Sequence, residues 1–274
     1  MIRASTVSPR PPTVVVREFP PFSSFAPVTL EEIHRLVLVA PCKTCELDQV
    51  PTWLVKRSVD LLAPVIVDIC SASLQKGYFP ASQKQARVSA RLKKPSMDPD
   101  DLSSFRPISN LSFLSKIVER VAVRQRHANE NDLLPERQSA YRRFHSTESA
   151  LPAVYNDIVL AINAGHAVTL TLLCLSSAFD TVDHAILLST LQYKLSVSGH
   201  ALEWFRSYLS DRTQVFVAQS CETLPVPLTS GVPQGSSLGP AQFISYTECS
   251  VLRQLPSHHH MHSIHVDPSF ILHQ

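Results

Sequence analysis

Glycine is scarce in this chain, and half of its glycines fall in one short segment. The 274 residues contain six glycines, and three of them lie in residues 231–239, which read Gly-Val-Pro-Gln-Gly-Ser-Ser-Leu-Gly. Glycine tolerates positive φ angles and the close approach of another backbone. The segment is therefore predicted to form a tight loop at Gly231 to Gly235, followed by a helix that begins near residue 236 or 237.

A second constrained segment lies about fifty residues earlier in the chain. Residues 168–175 read Val-Thr-Leu-Thr-Leu-Leu-Cys-Leu, which is apolar and β-prone and predicts a buried strand. Asp183 follows shortly after and is predicted to cap a helix over residues 184–194. Residues 214–218 and 226–229 are predicted to pair as an antiparallel hairpin.

The rest of the chain alternates helical and extended patterns. Thr29 is predicted to cap a short helix, Pro64 to lie in a helical first turn, and Gly77 to end that helix in the left-handed conformation. Pro152 is likewise expected in a first turn. The predicted helices are 50–62, 64–76, 112–126, 149–164 and one from 199, and the extended segments are 86–92 and 105–110. This alternation predicts a mixed α/β sheet with helices on one face.

Composition restricts the class of protein without defining it. With 44% hydrophobic residues the chain can bury a sizeable core, and its net charge of +2 does not indicate a nucleic-acid binder. No apolar run approaches the roughly 20 residues of a membrane span. Cys42-x-x-Cys45 and the histidines of 258–262 have residue types that bind zinc. The interpretation as unpaired surface residues is favoured over a zinc site, because the two cysteines are far from the histidines in the sequence and a second cysteine pair is missing.

Several segments, taken in order, resemble the reverse transcriptases of non-LTR (LINE, jockey-like) retrotransposons. Residues 172–184 (Leu-Leu-Cys-Leu-Ser-Ser-Ala-Phe-Asp-Thr-Val-Asp-His) and 228–240 resemble two core motifs of that family, named A and B. Further segments that carry the resemblance are 50–56, 93–111, 114–120, 138–142, 145–150 and 204–214. Their order and spacing together make the resemblance specific, and it covers most of the chain.

The resemblance implies an α/β fold of the right-hand polymerase type, with fingers, a partial palm and no thumb. It divides the chain into a disordered Pro/Ser-rich leader at 1–27, fingers at 28–165, a palm with motifs A and B at 166–243, and a degenerate tail at 244–274. The implied function is RNA-directed DNA polymerisation, with an RNA template, a DNA primer and dNTP as partners. No membrane partner is implied, the location would be nucleus or cytoplasm, and the oligomeric state stays open.

The same resemblance implies roles for individual residues. Lys94 and Arg106 stand where the fingers bind the triphosphate of the incoming nucleotide, and arginine suits bidentate phosphate contacts. Phe179 stands where an aromatic ring packs on the deoxyribose. Gln234 and Gly235 stand where the motif B loop approaches the nucleotide and the template backbone.

The chain departs from the family at the catalytic positions. A polymerase clamps the reacting oxygens with two Mg²⁺ ions held by carboxylates. Cys174 occupies the first aspartate position, and a thiol is a poor Mg²⁺ ligand. Counting onward without gaps leaves Asp267 as the only aspartate at the second catalytic position, where the family has an Asp-Asp pair. The alternative is that the reading frame changes after Phe243 and that residues 244–274 are unrelated sequence. No metal ligands are assigned, and Mg²⁺ is not expected to bind this copy.

These departures predict a degenerate, truncated copy of the domain without polymerase activity. The alternative is a non-enzymatic RNA- or DNA-binding remnant that keeps a positive groove in the fingers. A third reading, an active polymerase completed by another subunit, is disfavoured by the lost aspartates.

Overall fold

The computed structural model describes residues 21–43, 45–129, 139, 144–170, 178–218 and 221–250 of the chain. The helices in these ranges are α1 (Leu30–Val39), α2 (Thr52–Arg57), α3 (Val59–Gln75), α4 (Phe113–Asn129), α5 (Thr147–Asn163), α6 (His184–Tyr193), α7 (Gly199–Leu209) and α8 (Gly239–Ser250). The strands are β1 (Gln85–Leu92), β2 (Phe105–Asn110), β3 (Thr213–Ala218), β4 (Cys221–Glu222) and β5 (Val226–Pro227).

The described strands form one mixed sheet in the order β2-β1-β3-β4, with β5 also pairing with β3. The β1–β2 pair is antiparallel and the β1–β3 pair is parallel. Both β4 and β5 run antiparallel to β3. The hairpin predicted from residues 214–218 and 226–229 is confirmed where Gln214 pairs with Val226, whereas Val217 and Ala218 pair with β4 instead. Strand β2 lies at one edge of this sheet, and it therefore keeps backbone groups available for another segment.

Local capping signals in the sequence are confirmed where the structure describes them. The Thr29 hydroxyl accepts a hydrogen bond of 3.2 Å from the backbone N–H of Glu32 at the start of α1. One Asp183 carboxylate oxygen accepts from the N–H groups of Ala185 at 2.8 Å and Ile186 at 3.1 Å, which caps α6. Gly77 follows α3 with a φ of 63°. Each of these ends is determined by a few neighbouring residues.

Pro64 lies inside α3, and the prediction that it opens a helix is wrong. Because α3 begins at Val59, Pro64 is its sixth residue, where a proline removes one helical hydrogen bond at a cost of about 3 kcal/mol. Packing outweighs this cost, since side chains at helical spacing along the whole of α3 are buried in the core. These are Val59, Ala63, Ile66, Cys70 and Leu74.

Pro152 is likewise the sixth residue of a helix, α5, and not a first-turn residue as predicted. The helix begins two residues earlier than expected because Ser146 and Ser149 form a capping box. The Ser146 hydroxyl accepts from the N–H of Ser149 at 3.3 Å, and the Ser149 hydroxyl accepts from the N–H of Ser146 at 2.9 Å. Two extra residues move the proline out of the first turn.

The strand predicted for residues 168–175 is only partly covered by the described ranges. Residues 168–170 form no regular strand, and Val168 and Leu170 are 40% and 58% exposed, so a buried strand is wrong for these three residues. No described strand pairs with them, and β-prone residues become a strand only beside a partner that supplies hydrogen bonds. Cys174, at the other end of the prediction, lies outside the described residues.

A cluster of aromatic side chains forms the centre of the core. Trp204 of α7 is fully buried, donates from its indole N–H to the Ser73 hydroxyl at 3.0 Å, and stacks on Tyr208 with ring centroids 5.7 Å apart. The other members are Phe22, Phe25, Phe79 and Phe205. Around this cluster, α1, α3, α4, α6, α7 and α8 bury their apolar faces.

The mixed sheet with packed helices has the α/β class and the fingers-and-palm fold that the sequence predicts. The predicted boundary between residues 243 and 244 falls inside α8, which continues to Ser250. All of the predicted domain boundaries, this one included, stay predictions. No helix in the described ranges combines the length and the apolar character that a membrane span requires.

Candidate functional site

The glycine-rich loop at residues 230–238 makes close backbone contacts with the segment that precedes α6. Gly231 donates from its N–H to the carbonyl of Val182 at 2.8 Å, and Val232 donates to the carbonyl of Phe179 at 2.8 Å. Gly231 has a φ of 84°, and a Cβ at this position would lie 2.9 Å from the Phe179 oxygen. Only glycine fits there, so motifs A and B are in direct contact.

The opposite side of the same loop packs against the exposed edge of β2. The carbonyl of Gln234 accepts a hydrogen bond of 2.7 Å from the N–H of Ser109. Gly235 has a φ of 126°, and a Cβ here would lie 2.5 Å from the Ser109 carbonyl oxygen. The loop therefore joins residues 178–184 to strand β2, and this junction is the candidate site.

His184 adds a side-chain contact to the junction. Its Nε2 lies 2.7 Å from the carbonyl oxygen of Gly231. Because a carbonyl oxygen can only accept, Nε2 carries the proton in this hydrogen bond. The first residue of α6 thus holds the first glycine of the loop.

Phe179 lies at this junction, half-buried against the start of α8. Its ring and that of Phe243 have centroids 5.2 Å apart and planes inclined by 34°. An offset, tilted pair of this kind is a favourable aromatic geometry. The ring position of Phe179 is therefore set by α8 as well as by its own turn.

Arg106 lies on β2 next to the loop contact, and Lys94 lies in the exposed loop after β1. Two residues, Pro107 and Ile108, lie between Arg106 and Ser109, so the two are about 10 Å apart along β2 and their side chains point to opposite faces of the strand. Arg106 stands directly opposite Arg91 in the β1–β2 register, so two guanidinium groups project from the same face of the hairpin. This face of the hairpin therefore carries two basic side chains.

The acidic residues of the described region do not fit a metal centre. Partial desolvation raises the pKa of Asp180, and Asp183 uses a carboxylate oxygen to cap α6. Within the ranges that the structure describes, no three His, Cys, Asp or Glu side chains converge in a way that could hold a metal ion. Cys174 and Asp267, the two predicted catalytic positions, both lie outside those ranges.

The structure thus brings together three of the predicted site residues, namely Phe179, Gln234 and Gly235, and places Arg106 on the adjoining strand. Sequence reasoning assigned no role to Ser109, His184 or Glu119, although each belongs to a segment that carries the family resemblance. Glu119 of α4 accepts hydrogen bonds from the far end of the loop. The signal available in the sequence was an acidic residue at an otherwise apolar position of an amphipathic helix.

Comparison with known proteins places residues 92–273 in the family described as "Reverse transcriptase (RNA-dependent DNA polymerase)". The RNA-directed DNA polymerase from mobile element jockey of Drosophila funebris is 30% identical over 224 residues, which cover 81% of this chain and 24% of that protein. The probable RNA-directed DNA polymerase from transposon BS of Drosophila melanogaster is 28% identical over 224 residues, with the same coverage of 81% and 24%.

A third relative, the probable RNA-directed DNA polymerase from transposon X-element of Drosophila melanogaster, is 31% identical over 181 residues. The match covers 65% of this chain and 20% of that protein. The chain therefore spans about a quarter of the length of the first two relatives, at 24% each, and a fifth of the third.

Proposed function

The chain belongs to the reverse transcriptase family, as the reverse transcriptase domain of a non-LTR retrotransposon, and from this premise we propose that it binds nucleotide and nucleic acid but does not polymerise DNA. Reverse transcriptases act on a nucleic-acid template and primer and generally use divalent metal ions. The proposal separates these two requirements: the binding surface is kept, and the metal ligands are lost.

One observation carries the binding half of the proposal, the contact of Gln234 and Gly235 with Ser109. This contact holds Gln234 and Gly235 against the edge of the strand that bears Arg106. In the proposed site Arg106 and Lys94 bind the triphosphate, and Phe179 packs on the sugar. Gln234 and Gly235 contact the nucleotide and the template backbone.

The inactive half of the proposal depends on the residue at position 174. In-line phosphoryl transfer by this family needs two ions clamped by carboxylate oxygens. Mg²⁺ prefers such hard ligands, and the thiol of Cys174 is a soft one. Asp180 does not replace the missing aspartate, because it stands six residues beyond position 174, in a turn.

Primer extension tests the absence of polymerisation. The purified chain, supplied with poly-rA, oligo-dT, dTTP and Mg²⁺, is expected to extend no primer. The variant Cys174→Asp is expected to remain inactive, because a second carboxylate cluster is still missing from the sequence. Templated DNA synthesis by the unaltered chain, above a reaction without protein, would refute the inactive half. Synthesis by Cys174→Asp alone would refute the need for a second carboxylate cluster and would leave position 174 as the single defect.

Nucleic-acid binding tests the other half. The chain is expected to bind an RNA–DNA primer–template, with an affinity that falls steeply from about 50 mM to about 200 mM salt because bound counterions are released. Arg106→Ala should weaken binding several-fold, whereas Arg57→Ala, an exposed arginine on α2, should leave it unchanged. An affinity that is equal for both variants would count against the proposed groove, and no binding by the unaltered chain would reject it.

A further inference from the structure

Glu119 of α4 is a fully buried carboxylate that the polymerase chemistry does not use. Its side chain is 0% exposed. One oxygen, Oε2, accepts from the backbone N–H groups of Ser237 at 2.6 Å and Leu238 at 3.2 Å, and the other, Oε1, accepts from the Ser115 hydroxyl at 3.2 Å. A buried carboxylate is costly unless it is hydrogen-bonded and paired, so these contacts compensate for its burial.

Arg212 provides the compensating charge from the start of the central sheet. It is 1% exposed, and its Nη1 donates to the carbonyl of Tyr208 at 3.1 Å. Its guanidinium carbon also lies 4.6 Å from the centroid of the Tyr208 ring. The positive charge of Arg212 opposes the rise that burial causes in the pKa of Glu119. A buried acid and a buried base therefore lie on two elements that flank the loop.

The two N–H groups that Glu119 accepts from lie at the amino-terminal end of α8. Ser237 and Leu238 directly precede Gly239, the first residue of that helix, and the Ser236 hydroxyl accepts from the Gly239 N–H at 2.8 Å. A negative charge is stabilised at this end of a helix. Glu119 and Ser236 together thus fix the point where the loop becomes α8.

The same loop is fixed at its other end by β2. Ser236 also donates from its N–H to the carbonyl of Pro233 at 3.0 Å, which closes a turn around Gln234 and Gly235. That turn contacts Ser109, as described above. The turn is consequently held between two parts of the fingers, the edge of β2 on one side and Glu119 of α4 on the other.

We propose that Glu119 is a positioning residue, which holds the amides of Ser237 and Leu238 and thereby keeps Gln234 and Gly235 at the nucleotide-binding groove. This inference rests on the proposed function. Glu119 does not contact the ligand; it acts through the loop. Its hydrogen-bonding reach, rather than its charge, carries the effect.

Two substitutions separate reach from charge. Glu119→Asp keeps the charge beside Arg212 but draws the oxygens back by one carbon–carbon bond, about 1.5 Å. Glu119→Gln keeps the reach and one acceptor oxygen but removes the charge. Ser115→Ala is the matched control, because it removes the partner of Oε1 on the same helix and leaves the contacts of Oε2.

Amide hydrogen exchange of the full chain, with urea unfolding of each variant, measures the effect. In Glu119→Asp, exchange at Ser237 and Leu238 should accelerate about tenfold beyond any global loss of stability, as expected for a lost hydrogen bond. Glu119→Gln and Ser115→Ala should retain local protection. The affinity for the primer–template should fall in Glu119→Asp alone.

Three outcomes would overturn the inference. Unchanged protection at Ser237 and Leu238 in Glu119→Asp would show that the carboxylate does not hold the loop. A loss in Glu119→Gln but not in Glu119→Asp would assign the role to charge balance with Arg212. Local loss with unchanged affinity would make the contact purely structural. If the unaltered chain binds no nucleic acid, the proposed function fails separately, and exchange still decides whether Glu119 holds the loop.

Discussion

At the scale of single residues, the candidate site depends on how closely two backbones approach. Gly235 lies against the carbonyl of Ser109 at a φ of 126°, which a side chain rarely adopts. A Cβ on Gly231 would lie 2.9 Å from both the Phe179 oxygen and the Cα of Asp180. A methyl group at either position would have to displace backbone atoms, because the atoms that it meets cannot rotate away.

Gly235→Ala is expected to lower the free energy of unfolding by about 1–3 kcal/mol and to weaken binding of the primer–template. The reason is the 2.5 Å approach of the new Cβ to the Ser109 oxygen, added to the strained φ. Urea unfolding and a binding titration measure the two effects.

Gly165→Ala is the matched control for this substitution. Gly165 has a φ of 80°, but nothing lies within 4 Å of the Cβ that alanine would add. Gly165→Ala should lower the free energy of unfolding only by the cost of the left-handed conformation, about 1–2 kcal/mol. Its affinity for the primer–template should be unchanged. Equal binding losses in the two variants would contradict the role given to the Ser109 contact.

At the scale of elements, α3 and α5 both continue through a proline at their sixth residue. In α3 this is explained by burial, because residues before and after Pro64 belong to one core-facing stripe. Pro64 itself is exposed, so its ring contributes little to packing. The helix is maintained by tertiary contacts against a local cost.

Pro64→Ala is therefore expected to raise the free energy of unfolding by about 2 kcal/mol, since a helical hydrogen bond is restored while the unfolded chain gains some freedom. Pro51→Ala is the control, because Pro51 precedes α2 and its missing N–H takes no part in a helical hydrogen bond. Urea unfolding of both variants gives the comparison. A destabilised Pro64→Ala would contradict the strained-helix explanation.

At the scale of the whole molecule, the buried acid Glu119 links helix α4 to the loop at residues 230–238. Burial raises the pKa of Glu119 above its usual range. Between the unfolded pKa, about 4.3, and that raised native pKa, the native state binds more protons than the unfolded state. The stabilisation that Glu119 contributes is thus fully present below about pH 4.3, and it is lost as the pH rises through the native pKa.

The difference in unfolding free energy between the unaltered chain and Glu119→Gln should consequently fall as the pH rises from about 4 towards neutrality. Glu222→Gln is a control of opposite sign. The hydrogen bonds from Arg87 lower the pKa of Glu222, so its contribution is present above about 4.3 and lost as the pH falls. Urea unfolding across this pH range measures the free-energy difference between the unaltered chain and each variant. A difference for Glu119→Gln that rises with pH would contradict the assignment of Glu119 as a buried acid.

Features that depend on a few neighbouring residues could be predicted from the sequence. The caps at Thr29 and Asp183, the turn at Gly77, the hairpin of β3 and β5, and the tight loop at Gly231 all belong to this class. The family could also be predicted from the sequence, because its motifs occur in order along the chain and identify a reverse transcriptase without any coordinates. The substitution at Cys174, on which the predicted loss of activity rests, is likewise a property of the sequence alone.

Only the tertiary structure decided which distant residues meet. Glu119 and Ser237 are 118 positions apart, and the helical pattern of α4 does not indicate which loop its inward-facing acid would meet. The contact of Gly235 with Ser109 and the place of Pro64 inside α3 are of the same kind. The physical reason is that local propensities amount to about 1 kcal/mol per residue, whereas burial and buried hydrogen bonds amount to several, and burial depends on the whole fold.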